Sequence, residues 1–78
     1  MENDIFFINT PVDIQEEIYN DIIEKLISYN IPDNKIIYLR MTTSIGIFGK
    51  YYFEVYVCNN IVEHSSLNYP ADFLIFLK

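Results

Sequence analysis

An amphipathic pattern dominates the first half of the chain, between Thr10 and Tyr29 (TPVDIQEEIYNDIIEKLISY). Its apolar residues form two adjacent rows, one of Ile14, Ile18, Ile22 and Leu26 and one of Tyr19, Ile23 and Ile27. This period of 3.6 residues predicts one helix with an apolar stripe wide enough to lie on a sheet. Thr10 and Pro11 suit the start of the helix, and Pro32 follows its end.

Two later segments alternate in the period-two pattern of half-buried strands. In Ile36–Thr42 the residues Ile37, Leu39 and Met41 share one face, and in Tyr51–Cys58 the residues Tyr51, Phe53, Val55 and Val57 do so. The two glycines of the chain lie between these strands. Gly49-Lys50 fits a tight turn, and Gly46 fits a bulge that resets the strand register.

Continuous apolar runs at Asp4–Ile8 and Phe73–Leu77 suit central strands buried on both faces, although the second run also suits a short helix begun at Pro70. Ile61–His64 is expected to return as a strand after a turn at Asn59-Asn60. The chain is thus predicted to be one α+β domain, residues 1–78, in the order β-α-β-β-β-(β or short α). Its helix packs on one face of a mostly antiparallel sheet of four or five strands.

A single helix can cover only one face of such a sheet. Strand alternation places a group of polar and aromatic residues on the other face: Tyr38, Arg40, Tyr52, Glu54 and Tyr56. The runs at Phe6–Phe7 and Phe73–Leu77 add apolar area to it. Because Tyr and Arg are enriched in binding hot spots, this face is predicted to bind a partner. Two alternatives are an ordinary surface with scattered tyrosines, and a C-terminal segment that folds back to cover the face.

The net charge of −6 is concentrated in the first 33 residues, which hold eight acidic residues against Lys25. Five of these acids lie on the predicted helix: Asp13, Glu16, Glu17, Asp21 and Glu24. Such a face repels phosphate backbones and would steer the protein toward a basic partner. The alternative is a solvated helix face that serves only solubility.

No residue pattern in the chain predicts catalysis, a cofactor or a metal site. The stretch Ser44–Tyr51 lacks the first glycine and the final hydroxyl of a phosphate-binding loop, and it precedes a strand. His64 is followed by Ser65 and Ser66, but adjacent strand residues point to opposite faces. Cys58 is the only cysteine and forms no disulfide framework within the chain. The sequence therefore predicts a protein that is not an enzyme.

Binding to nucleic acid or to a membrane is not favoured. The strand Lys50–Tyr56 superficially resembles the aromatic strand of RNA-recognition sheets, but Tyr52 and Glu54 stand where that pattern needs small residues. No run approaches the roughly 20 apolar residues of a membrane span, and the acidic start does not suit a secretory signal. A cytoplasmic, soluble protein is expected.

These features together predict a small acidic protein–protein interaction module, either an inhibitor or an adaptor, that occupies its partner's surface. Phage-encoded inhibitors of host defence nucleases and bacterial immunity proteins share this profile, which is an analogy of composition and not of motif. The alternatives are a structural homodimer that pairs through sheet faces or edge strands, and a sheet that binds single-stranded nucleic acid.

Overall fold

Four strands and one α-helix form the fold in the computed structural model, which describes residues 3–42 and 51–77. In chain order the elements are β1 (Asp4–Ile8), α1 (Val12–Ser28), β2 (Ile36–Met41), β3 (Tyr51–Cys58), a short 3-10 helix (His64–Leu67) and β4 (Phe73–Leu77). The strands lie in the sheet in the order β1-β2-β3-β4. Each strand is therefore a neighbour of the next one in the chain.

The predicted α+β architecture is confirmed, but the sheet is mixed and not mostly antiparallel. β1 and β2 pair in parallel, with Asp4 opposite Ile36, and the other two pairings are antiparallel. The parallel pair follows from α1, because a helical crossover returns the chain to the end of the sheet where β1 began.

Three strand predictions are corrected by this topology. The run Asp4–Ile8 forms an edge strand and not a central one. The predicted strand Ile61–His64 is irregular up to Glu63 and then enters the 3-10 helix, so no fifth strand occurs in residues 3–42 and 51–77. The C-terminal run Phe73–Leu77 is a strand, which excludes the short-helix alternative, but it lies at the other edge of the sheet and not at its centre. The predicted turn and bulge at Gly49 and Gly46 lie outside the described residues.

The helix occupies Val12–Ser28, slightly less than the predicted Thr10–Tyr29. Pro11 is its N-cap residue, and the Thr10 hydroxyl does not cap the helix but donates to the carbonyl of Ile8. After the C-cap, Asn30 has a φ of 55°, a left-handed conformation that asparagine tolerates better than most residues. This reversal directs the chain back toward the start of β2.

The inner core lies between α1 and the sheet. Its helix side consists of Ile18, Ile22 and Leu26, and its sheet side consists of Ile37, Leu39, Phe53, Val55, Ile75 and Leu77. The second apolar row is only partly buried, because Ile23 is half-buried while Tyr19 and Ile27 remain 46% and 54% exposed. A helix contacts a sheet along one stripe, so the residues beside that stripe turn toward solvent.

The outer face of the sheet is covered in part by the connection between β3 and β4, residues 59–72, which we call the covering segment. Beneath it lies a second apolar cluster of Ile8, Tyr38, Tyr56 and Leu67. The Tyr38 hydroxyl accepts a hydrogen bond from the Val62 N–H (2.9 Å) and lies 3.0 Å from the Val62 carbonyl, to which it donates. The chain therefore covers part of the predicted binding face itself, with an internal segment and not with its C-terminal strand.

The hydroxyl of Tyr38 is expected to fix the covering segment on the sheet. Tyr38→Phe keeps the buried ring but removes both contacts to Val62, so we expect a loss of about 1–2 kcal/mol in the free energy of unfolding. Tyr69→Phe is the matched control, because Tyr69 is 73% exposed. Urea unfolding measures both variants, and equal stability of the two would show that the hydroxyl does not hold this segment.

Candidate protein-interaction surface

An apolar patch remains exposed on the outer face, over β3 and β4. Tyr52, Leu74 and Phe76, which we call the open patch, are 37%, 56% and 38% exposed. Tyr52 and Phe76 are direct cross-strand partners, and their ring centroids lie 4.4 Å apart. Because both rings stand on paired strands, the patch presents its apolar area on a rigid base.

A charged pair lies on the outer face between the open patch and the covering segment. Arg40 Nη1 lies 3.8 Å from Glu54 Oε1, and both side chains are partly exposed. Arg40 Nη2 donates to the carbonyl of Leu67 (3.3 Å), and the guanidinium lies 5.4 Å from the centroid of the Tyr56 ring. A partly exposed ion pair contributes little stability, whereas the hydrogen bond to Leu67 connects Arg40 to the covering segment.

Two ionisable groups near the covering segment have shifted pKa values. Burial raises the pKa of Tyr56, and the nearby Glu54 carboxylate raises it further, while Arg40 opposes the shift. Tyr56 also donates its hydroxyl to Glu54 Oε1 at 3.2 Å. Burial, followed by the charge of Asp72, raises the pKa of the Cys58 thiol. The Tyr56 hydroxyl and the Cys58 thiol therefore stay protonated at a higher pH than the same groups would in water, and the neutral form is the one that burial favours.

The five residues predicted to form one binding face occupy three different environments. Tyr38 and Tyr56 are 2% and 5% exposed, so they are core residues and cannot contact a partner in this conformation. Arg40 and Glu54 are partly exposed and border the covering segment. Tyr52 belongs to the open patch. Strand alternation assigned all five to the correct face, but it carried no information about what covers that face.

The sequence assigned the run Phe73–Leu77 to the outer face as a whole and did not distinguish Leu74 and Phe76 within it. Their strand reads FLIFL, in which both alternating sets are apolar, so periodicity cannot tell the inner face from the outer one. The structure decides the matter through Ile75 and Leu77, which are buried in the inner core. Leu74 and Phe76 therefore point outward, beside Tyr52.

The predicted acidic residues are all exposed along α1, and three of them line grooves beside the sheet. Asp21 and Glu24 line a groove of about 580 Å³ beside β4, which we call the acidic groove; its other lining residues are Lys25, Ser28, Phe76 and Leu77. Glu16 faces a different groove, of about 470 Å³, beside β1. Asp13 and Glu17 are exposed on the helix outside both grooves. The acidic groove shares Phe76 with the open patch, so the two adjoin at β4.

The part of the chain that the structure describes contains no group of three or more His, Cys, Asp or Glu residues placed to hold a metal ion. His64, Ser65 and Ser66 are exposed on the short 3-10 helix. The loop considered for phosphate binding lies mostly in residues 43–50, outside the described ranges. Among the described helices, none is both long and apolar enough to cross a membrane.

No protein-family model matches the chain, and neither the curated proteins nor the solved structures include a significant match. The geometry itself thus singles out the candidate site. It consists of the open patch on the outer face and the acidic groove on the helix side of the same strand.

Proposed function

We propose that this chain is a small acidic protein–protein interaction module, an inhibitor or an adaptor that acts by occupying a partner's surface. The open patch is the observation that carries the proposal, because Leu74, Tyr52 and Phe76 expose large apolar side chains next to one another. Contiguous apolar area on a soluble surface is typical of interaction sites. Tyrosine in such an area is a common hot-spot residue.

The contrast between the two parts of the outer face supports this proposal. One part is covered by residues 59–72 and fixed by hydrogen bonds from Tyr38 and Arg40. The other part is left exposed on the same sheet. A rigid apolar surface loses little conformational entropy when a partner binds, so its contact area is converted efficiently into affinity.

The acidic residues provide the second element of the proposal, which is electrostatic steering. The net charge is −6, and the carboxylates of α1 stand exposed near the patch at Asp21 and Glu24. A field of this sign accelerates association with a basic surface and weakens as salt is added. We place the action inside the cell, where the free thiol of Cys58 would remain reduced.

Affinity capture from the native host tests this function. The wild-type protein is used as bait beside a patch variant, Tyr52→Ala with Leu74→Ser, and a control variant, Ile61→Ser with Tyr69→Ala. The control removes the same kinds of side chain from exposed positions outside the patch, which are 70% and 73% exposed. Captured proteins are identified by mass spectrometry, and each is purified and titrated against the three baits.

We expect at least one protein whose affinity falls by about tenfold or more with the patch variant and by less than twofold with the control. That partner should carry a basic surface, and its association rate should fall with ionic strength. Capture of the same proteins at the same affinity by all three baits would show that the open patch is not the contact.

A homodimer is the second candidate, and the apolar edge strand β4 favours it. The sequence FLIFL contains no proline or charged residue, which are the usual devices that prevent edge pairing. Light scattering at high micromolar concentration separates the candidates. A mass near the monomer value of 9.3 kDa would remove the homodimer.

A further inference from the structure

The outer edge of β4 is the feature that specifies how a partner would dock. Among the strands formed by residues 3–42 and 51–77, β4 is the last in the sheet order, and its one neighbour is β3. In an antiparallel ladder, alternate residues direct their backbone groups away from the paired strand. The open edge can therefore accept a further strand through main-chain hydrogen bonds, a common mode of peptide recognition.

The register identifies Leu74 as a residue whose backbone faces outward. Thr42 N–H donates to the Tyr52 carbonyl, so Tyr52 and, by alternation, Glu54 direct their backbone groups toward β2. Leu74 lies opposite Glu54. Its N–H and carbonyl consequently point away from β3, toward the position of an added strand.

The two sides of this edge differ in chemistry. On the outer face an added strand would meet Leu74 and Phe76, which belong to the open patch. On the helix side it would meet the acidic groove, whose described lining holds the two carboxylates of Asp21 and Glu24 and one cation, Lys25. Side chains of a strand alternate between its two faces, so each set of alternate residues in the added strand would meet one of these surfaces.

We propose that the β4 edge binds an extended segment of a basic partner in which apolar residues alternate with Lys or Arg. The apolar residues lie on the open patch, and the cationic residues reach Asp21 and Glu24 in the acidic groove. This inference rests on the proposed function and specifies the contact by which it is performed.

A second copy of this chain fits the edge less well. Antiparallel pairing of two β4 strands about a twofold axis normal to the sheet places both α1 helices on the same face. The Asp21 and Glu24 carboxylates of both copies would then line one shared channel, in which Lys25 is the one cation among the described lining residues of each copy. Like charges in such a channel oppose pairing, whereas a basic segment is attracted.

The test uses synthetic peptides of about ten residues, enough to span β4 at about 3.4 Å per residue. The probe alternates valine with lysine. One control peptide replaces lysine with glutamate, and another contains the same residues in two blocks, which removes the alternation. Titration with the full-length protein gives the affinities, and amide hydrogen exchange by NMR shows whether the Leu74 N–H becomes protected.

Two matched charge variants separate local recognition from overall charge. Asp21→Asn with Glu24→Gln removes the carboxylates of the acidic groove, and Asp13→Asn with Glu17→Gln removes equal charge from the same helix outside the groove. We expect the first variant to weaken binding of the valine–lysine peptide by about fivefold and the second by less than twofold.

A backbone variant tests the strand itself. Leu74→Pro deletes an N–H that points to the open edge, a position where proline is compatible with a strand, whereas Leu74→Ala keeps the N–H. We expect the proline variant to bind the peptide at least about tenfold more weakly than the alanine variant, which itself loses part of the open patch. Should the proline variant fail to fold, the charge variants and the exchange of the Leu74 amide still decide the question.

The proposal predicts tighter binding of the alternating peptide than of either control and slower exchange at Leu74 in the complex. It is overturned by unchanged Leu74 exchange at saturation, by equal weakening in the two charge variants, or by a dimer that protects Leu74 without peptide. If the peptide does not bind but capture of the host partner still depends on Tyr52 and Leu74, only this inference is wrong. If capture of the host partner is unaffected by the substitutions in the open patch, the proposed function is wrong as well.

Discussion

Tyr56→Ala is expected to lower the free energy of unfolding by about 3–4 kcal/mol, and Tyr52→Ala by about 1 kcal/mol. Both residues lie on the outer face of β3, so strand position alone does not separate them. The difference arises because the Tyr56 ring is 5% exposed beneath the covering segment, whereas Tyr52 is 37% exposed and contacts chiefly the Phe76 ring.

The measurement is urea unfolding followed by circular dichroism, with hydrogen exchange of residues 59–72 as a second readout. Tyr56→Ala should also accelerate exchange in the covering segment, since it removes the ring beneath Leu67 and the contact with Arg40. Equal losses in the two variants would contradict the division of the outer face into a covered part and an open part.

Leu26→Ala is expected to cost about 3 kcal/mol, while Ile27→Ala changes stability by less than about 0.5 kcal/mol. The two residues are neighbours on α1 and similar in size, but Leu26 is fully buried and Ile27 is 54% exposed. A chain of this length has a total stability of roughly 4–12 kcal/mol, so the first substitution removes a large fraction of it.

Thermal unfolding measures this second pair, and Leu26→Ala should lower the melting temperature by more than about 10 °C. The exposed neighbour is an internal control for helix propensity, because both substitutions introduce alanine into the same helix. Similar shifts in both variants would mean that the second apolar row of α1, which includes Ile27, is part of the core after all.

The helix and the two central strands could be predicted from the sequence because each carries a clean period. Ile18, Ile22 and Leu26 recur at helical spacing, and all three are buried. In β2 and β3, alternation assigned Leu39 and Val55 to the inner face, where the structure pairs them directly. The spacing of apolar residues specifies which side of a helix or strand is apolar, and it can be read from that segment of the sequence alone.

The arrangement of the sheet could not be predicted in the same way. The run Asp4–Ile8 suggests burial, but an apolar run does not specify its neighbours. Here it lies at the edge of the sheet, where α1 covers its inner face only in part, and Ile5 and Phe7 stay half-buried. Whether the helix covers a given strand depends on the position of that strand in the sheet, which the strand's own sequence does not specify.

The covering segment was missed because residues 59–72 carry no periodic signal. Apart from the pair Ile61-Val62, which suggested a strand, their apolar residues are isolated within a polar stretch that contains Pro70. Only contacts with distant parts of the chain reveal their role. Leu67 is buried against Tyr38 and Tyr56, and Val62 is held by a hydroxyl from β2. Such contacts depend on the assembled sheet, so the sequence predicted an open face where the structure has a partly covered one.

The outer face is divided into a part beneath the covering segment and the open patch, and the reactivity of its tyrosines measures this division. Nitration of the native protein with tetranitromethane, mapped by mass spectrometry, should modify Tyr52 and Tyr69 while Tyr38 and Tyr56 stay protected until urea unfolds the chain. With the captured partner bound, Tyr52 should become protected and Tyr69 should remain reactive. Native Tyr38 or Tyr56 reacting as fast as Tyr69, or Tyr52 reacting equally with and without the partner, would contradict the account.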